Sequence, residues 1–205
     1  MVRLVVGISG ASGAIYGIRA LQALRELGVE THLVVTHAAL ETIRLETDFK
    51  KADVIGLATE VHRLDDVASN IASGSYRTDG MLVIPCSMKT LAGIASGYSD
   101  NLLLRAADVT IKERRRLVLV VRETPLSLIH IENMATVTRA GAVVLPAMPA
   151  FYQRPKTIED LVDQVVGKAL DMIGIDHKLL KRWEGGLHAD HKGAKSRTPG
   201  SRHPP

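Results

Sequence analysis

The sequence predicts a single α/β domain built on one doubly wound, mostly parallel sheet. Three observations carry this. Short runs of branched residues, apolar on both faces, recur along the chain, as strands sandwiched between two helical layers must be. Stretches with helical periodicity alternate with those runs. No linker breaks the alternation, so residues 1–186 read as one unit.

The elements follow in order. "RLVVGIS" (3–9) is a strand, and 14–28 a helix whose apolar face is Ile15, Ile18, Leu21 and Leu24, stopped at Gly28. "ETHLVVT" (30–36) is the next strand, with helix "HAALETIRLET" behind it. Residues 49–79 are the least regular, and "SNIASGSYRTDG" reads as loop. "GMLVIPC" (80–86) leads into helix "MKTLAGIASG", and "RRLVLVVRE" (115–123) into a helix over 131–141. "AVVLPA" (142–147) is the last strand, and 157–174 the closing helix, capped at Thr157.

Composition narrows the function classes. Hydrophobic residues at 46% and charged residues at 23% describe a globular chain, without an apolar run long enough for a membrane span. The start reads directly into a strand, which sets the expectation of a cytoplasmic protein. Of the formal net charge of +4, residues 187–205 hold four Lys/Arg against one acid, leaving the rest nearly neutral. That polar, Gly/Pro/Ser-containing segment reads as a disordered tail. With 3% aromatics and no basic face, nucleic acid is not indicated.

In doubly wound sheets, ligands bind beyond the carboxyl ends of the strands. After the first strand comes "SGASG", after the second Thr36 and His37, after the third "PCSMKT", after the fourth "VRETP", and after the last "PAMPAFYQRP". Hydroxyls, amides and cations thus gather on one edge, as an anionic ligand requires. The first loop is neither GxGxxG nor a P-loop, so by itself it reads equally as a tight strand-to-helix turn. A second donor-rich loop, with Ser87, Lys89 and Thr90, favours a phosphate-bearing cofactor. Arg122 and Glu123, charged at the end of a buried strand, either pair or meet a ligand. "KERRR" (112–116) reads as a solvated helix end entering a strand, although Lys112 has the reach to turn inward. Cys86, the one cysteine, reads as a small buried residue. Among the eight histidines only "HADH" (188–191) has ligand spacing, and no Asp-rich magnesium motif is present, so no metal ligand is assigned.

Over nearly the whole chain to about Trp183, these stretches resemble the flavin prenyltransferases of the UbiX/Pad family. The match runs through "GISGASGAIYG", "LETD", "GSYRTDGMLVIPCSMKTLAGIASG", "RAADVTIKERRRLVLVVRETPLSLIHIENM", "PAMPAFYQRP" and "DLVDQVVGKALDMIGI". It is nearest to members associated with hydroxyaryl acid decarboxylases. The resemblance implies a flavodoxin-like Rossmann fold that binds FMN. It also implies metal-independent transfer of a dimethylallyl group from dimethylallyl monophosphate to N5 and C6 of reduced FMN. The product would serve a UbiD-type decarboxylase, and the enzyme would be a homododecamer of trimers with active sites where subunits meet.

Matched motif by motif, Gly10, Ala11, Ser12, Thr36, Ser87, Met88, Lys89, Thr90 and Arg122 would contact FMN. Glu46 would assist proton transfer, and Ser12 would lie near N5. Lys112, Arg122 and Glu123 would form the charged network around the phosphate. Tyr152 and Lys168 would bind that phosphate, with Lys168 standing where some members carry arginine, and Trp183 would close over the prenyl group. The rival readings are a cysteine-decarboxylase-type flavoprotein, an aromatic acid decarboxylase subunit and a flavin carrier. "PCSMKT" and "PAMPAFY" differ from the loops of the first.

Overall fold

A computed structural model describes residues 2–180 and 182. The expected disordered tail at 187–205 and the expected closing residue Trp183 lie outside these. The strands are β1 (Arg3–Ile8), β2 (Glu30–Val35), β3 (Glu60–His62), β4 (Gly80–Cys86), β5 (Arg116–Val121) and β6 (Val143–Pro146). The helices are α1 (Ala14–Glu26), α2 (His37–Glu46), α3 (Lys51–Ile55), α4 (Met88–Ser96), α5 (Leu102–Lys112), α6 (Leu128–Arg139) and α7 (Ile158–Ile173). All neighbouring strands pair in parallel, in the order β3-β2-β1-β4-β5-β6. Without the three-residue β3, the order is that of a flavodoxin-like sheet; β3 extends it by one short edge strand.

The sheet is covered on both faces because its strands are apolar on both. On β1, Leu4, Val6 and Ile8 join the layer of α1 and α7, with Ile18, Leu21, Val166 and Leu170. Val5 faces the opposite layer with Met81, Leu103 and Leu119. Gly7 lies against that second layer too, and a Cβ there would stand 3.0 Å from Leu103, so glycine makes room for α5. Each fully buried Leu or Ile contributes roughly 1.5–3 kcal/mol by leaving water, and the two layers hold most of the chain's large apolar side chains. Among the described residues no helix is long and apolar enough to cross a membrane.

Three boundaries differ from the sequence reading. The last but one helix starts at Leu128 rather than 131, because Ser127 accepts the His130 amide and forms a capping box. The helix that the sequence places only by its end at 112–116 is α5, 102–112, capped by the Asn101 side chain on the Leu104 amide. The irregular segment 49–79 holds α3 and β3, too short for their periodicity to register.

Candidate active site

Four strand ends and the loop after the last strand converge on the carboxyl edge. Behind β1 the chain makes a turn at Gly13, whose φ of +97° is left-handed; a Cβ there would also press on the Tyr16 ring at 2.8 Å. Gly10 packs directly on Ala38 of α2, where a Cβ would collide. Behind β2, Thr36 caps α2 by accepting the Ala39 amide, and behind β4, Ser87 caps α4 by accepting the Thr90 amide. Ser9, buried beneath both loops, donates its hydroxyl to the Pro85 carbonyl at 2.9 Å and accepts the Ser87 amide at 2.8 Å. The first-turn amides left over at α2 and α4 open on this edge, a donor set suited to a phosphate.

The reactive part of the edge is a cluster that no stretch of sequence contains. α2 lies alongside the first loop, so Glu46 at its far end returns to α1. Its carboxylate accepts the amides of Gly13 at 2.8 Å and Ala14 at 3.1 Å, and the Ser12 hydroxyl. Partial burial works to raise the Glu46 carboxyl, but the Ser12 hydroxyl, the two amides and the Arg122 charge together outweigh it. The net position is below the ordinary carboxylate value. At neutral pH Glu46 is therefore an anion, equipped to accept a proton. Arg122, half-buried, also faces Tyr16, whose hydroxyl is raised by burial against the opposing pull of that cation. Glu123 accepts the Thr124 amide at 3.0 Å. Beyond β5 and β6 a cavity of about 300 Å³ is lined by Arg122, Glu123, Met134, Pro146 and Met148.

Most of the expected site residues meet here. Gly10, Ala11 and Ser12 follow β1, Thr36 follows β2, Ser87, Met88, Lys89 and Thr90 open α4, and Arg122 and Glu123 follow β5. Tyr152 is exposed on the loop after β6, and Lys168 lies on the exposed side of α7. Lys112 is elsewhere. It ends α5 just before β5 begins, at the amino edge, where it pairs with Glu113 beside Gly74. The physical reason is direction: a helix that covers a parallel sheet runs back from the carboxyl edge, so its last residue sits at the opposite end. Cys86 is fully buried and burial pushes its thiol up to about 12, which removes it as a nucleophile. Tyr16 was missed; its place two residues into α1, beside the Gly13 turn, was the available signal.

The fold and this edge define a flavoprotein, and the comparisons say the same. Residues 1–170 match the Flavoprotein family. A flavin prenyltransferase UbiX of Thauera aromatica is 54% identical over 195 residues, covering 95% of this chain and all of that one. A crystal structure of AnUbiX in complex with FMN and dimethylallyl pyrophosphate superposes with a TM-score of 0.89 at 56% identity, covering 90% of this chain and 98% of that one. A dodecameric FMN-dependent Ubix-like decarboxylase from Escherichia coli O157:H7 superposes at 0.87 with 55% identity, covering 89% and 100%. The chain belongs to the flavin prenyltransferase family.

Proposed function

We propose that the protein transfers a dimethylallyl group from dimethylallyl monophosphate to N5 and C6 of reduced FMN, in the cytoplasm, and so makes the cofactor of a UbiD-type decarboxylase. The observation that carries this is the Ser12–Glu46–Arg122 cluster: an ionised carboxylate, a hydroxyl and a cation at the mouth of two donor loops. The donor set fits FMN, with the helix N-termini and Thr36, Ser87 and Thr90 available to its phosphate and Gly10, Ala11, Ser12, Met88, Lys89 and Arg122 around the rest. When bound, the reduced flavin supplies the nucleophilic ring positions.

The chain's own groups do the remainder. Breaking the allylic carbon–oxygen bond leaves the electron pair on the departing phosphate, so fixed cations there lower the barrier. Arg122 supplies one from within the chain; Tyr152 and Lys168, both exposed, are the further phosphate ligands that the resemblance implies. Lys112, at the far edge of its own chain, serves this role for a neighbouring subunit in our reading, since the resemblance sets the sites where subunits meet. A patch of exposed apolar residues near this edge, Leu126, Leu128, Ile129, Ile131, Met148 and Phe151, supports such contacts. Glu46 accepts the proton that the flavin must lose, with Ser12 orienting it.

The test is anaerobic incubation with reduced FMN and dimethylallyl monophosphate, followed by flavin mass, with a parallel arm on the pyrophosphate. A prenylated flavin with the monophosphate is expected. Recovery of unmodified FMN in both arms from folded protein rejects the reading, and release of carbon dioxide from a hydroxybenzoate by this chain alone replaces it with a decarboxylase. Prenylation with the pyrophosphate alone would correct the substrate.

A further inference from the structure

Away from the flavin edge, β2 and β3 bring together two histidines and a carboxylate. His32 is fully buried, His62 is 5% exposed in its side chain, and Glu60 is half-exposed. His32 Nδ1 lies 2.9 Å from His62 Nε2 and 3.3 Å from Glu60 Oε2, and His62 Nε2 lies 3.6 Å from Glu60 Oε1. Ligands about 2.0–2.1 Å from a tetrahedral zinc ion are about 3.3–3.4 Å apart; one ligand atom from each of the three residues lies within 4.8 Å of the others, so the two rings need only open slightly to seat the ion.

The outer hydrogen bonds admit a tautomer in which both inner nitrogens are free to bind a cation. His32 Nε2 is 3.1 Å from the Glu30 carboxylate, which is itself paired with Arg3 at 2.7 Å and can only accept. His32 Nε2 therefore carries the proton, with the Tyr76 hydroxyl 3.0 Å away on the same side. His62 Nδ1 is 2.8 Å from Ser69 Oγ, which can direct its own hydrogen to Asn70 Oδ1 at 3.3 Å. Asn70 Oδ1 also accepts the Ile71 amide, which fixes it as the oxygen. Ser69 is then free to accept from His62 Nδ1. In the tautomer that protonates both outer nitrogens, the two inner lone pairs face each other at 2.9 Å and point at a space that a cation can share. Each imidazole also has the outer oxygen partner typical of a metal ligand.

We propose that His32, Glu60 and His62 bind a zinc ion, with water as fourth ligand, that ties edge strand β3 to β2. A shared proton would need only the two nitrogens; Glu60 adds a third donor and the negative charge that a divalent ion favours. The site is separate from the reaction edge. His32 is four residues before Thr36 along extended chain, about 13 Å away. Its role is to hold the segment that returns from α2 and α3.

The full chain, dialysed against chelator, is titrated with Zn²⁺ alone. His188→Asn and His191→Asn are present to remove the "HADH" histidines. Bound metal is counted by elemental analysis, the Tm is followed, and Co²⁺ serves as a visible-absorption probe. One zinc per chain, a Tm that rises with Zn²⁺ and a tetrahedral Co²⁺ band are expected. Glu60→Gln and His62→Gln should each weaken binding by at least about tenfold. Because His62 is nearly buried, Glu60→Gln at a half-exposed position provides the comparison in a chain whose metal-free Tm is unchanged. Unchanged affinity in both variants overturns the proposal. So does absence of bound zinc at tenfold excess, which would leave a shared proton between the rings.

Discussion

The N-termini of α1 and α4 open on the same edge of the sheet, yet they are finished in opposite ways. α4 is closed by its own N-cap: Ser87 accepts the amide of Thr90, three residues on. α1 begins at a left-handed glycine with no side chain to offer, and its cap comes from Glu46, 33 residues away in sequence. A self-capped helix end is a fixed donor surface, suited to holding a phosphate. An end capped by a distant carboxylate places a charge where chemistry can use it, and couples that charge to the position of α2.

This contrast breaks most visibly at Glu46. Glu46→Gln keeps an oxygen for the Gly13 and Ala14 amides but loses the proton acceptor. Prenyl transfer should fall about 10²–10⁴-fold while FMN remains bound, read by turnover beside flavin absorbance. Unchanged turnover would reduce Glu46 to a cap. Next in size is Gly13→Ala, which forces a left-handed backbone and presses on Tyr16, and should destabilise by about 1–3 kcal/mol in denaturant titration. Ser87→Ala should cost about 1 kcal/mol, the ordinary worth of an N-cap, and weaken FMN binding without slowing the bound enzyme. Loss of turnover at saturating FMN would show that α4 does more than hold.

The smallest effect is in pH. Because the folded state holds Glu46 below its ordinary value, its contribution to stability is complete above that ordinary value. It fades as pH falls through the folded one. The stability difference between the wild type and Glu46→Gln, measured by urea unfolding across acid pH, should therefore narrow on acidification. A widening gap would break the assignment.

The same contrast explains what the sequence made legible. Ser87 and Thr90 could be read as ligand donors because they stand three residues apart in one motif directly after a strand. The strands could be read because burial on both faces leaves continuous apolar runs. The contact of Glu46 with Gly13 spans 33 residues and exists only because α2 lies along the first loop, so only the family resemblance pointed to it. Lys112 shows the limit from the other side: its motif resembles the family's and its stretch reads as a helix end entering a strand, but the edge it occupies follows from the direction of α5 across the sheet. His32, Glu60 and His62 escaped because β3 is three residues long and its pairing with β2 is what creates the cluster.

Ser9 has the last consequence. By donating to Pro85 and accepting from Ser87, one buried hydroxyl makes the loops after β1 and β4 a single stiff frame. The ordering of two separate segments is then completed during folding and not on ligand binding, so the flavin meets a receptor with little entropy left to lose.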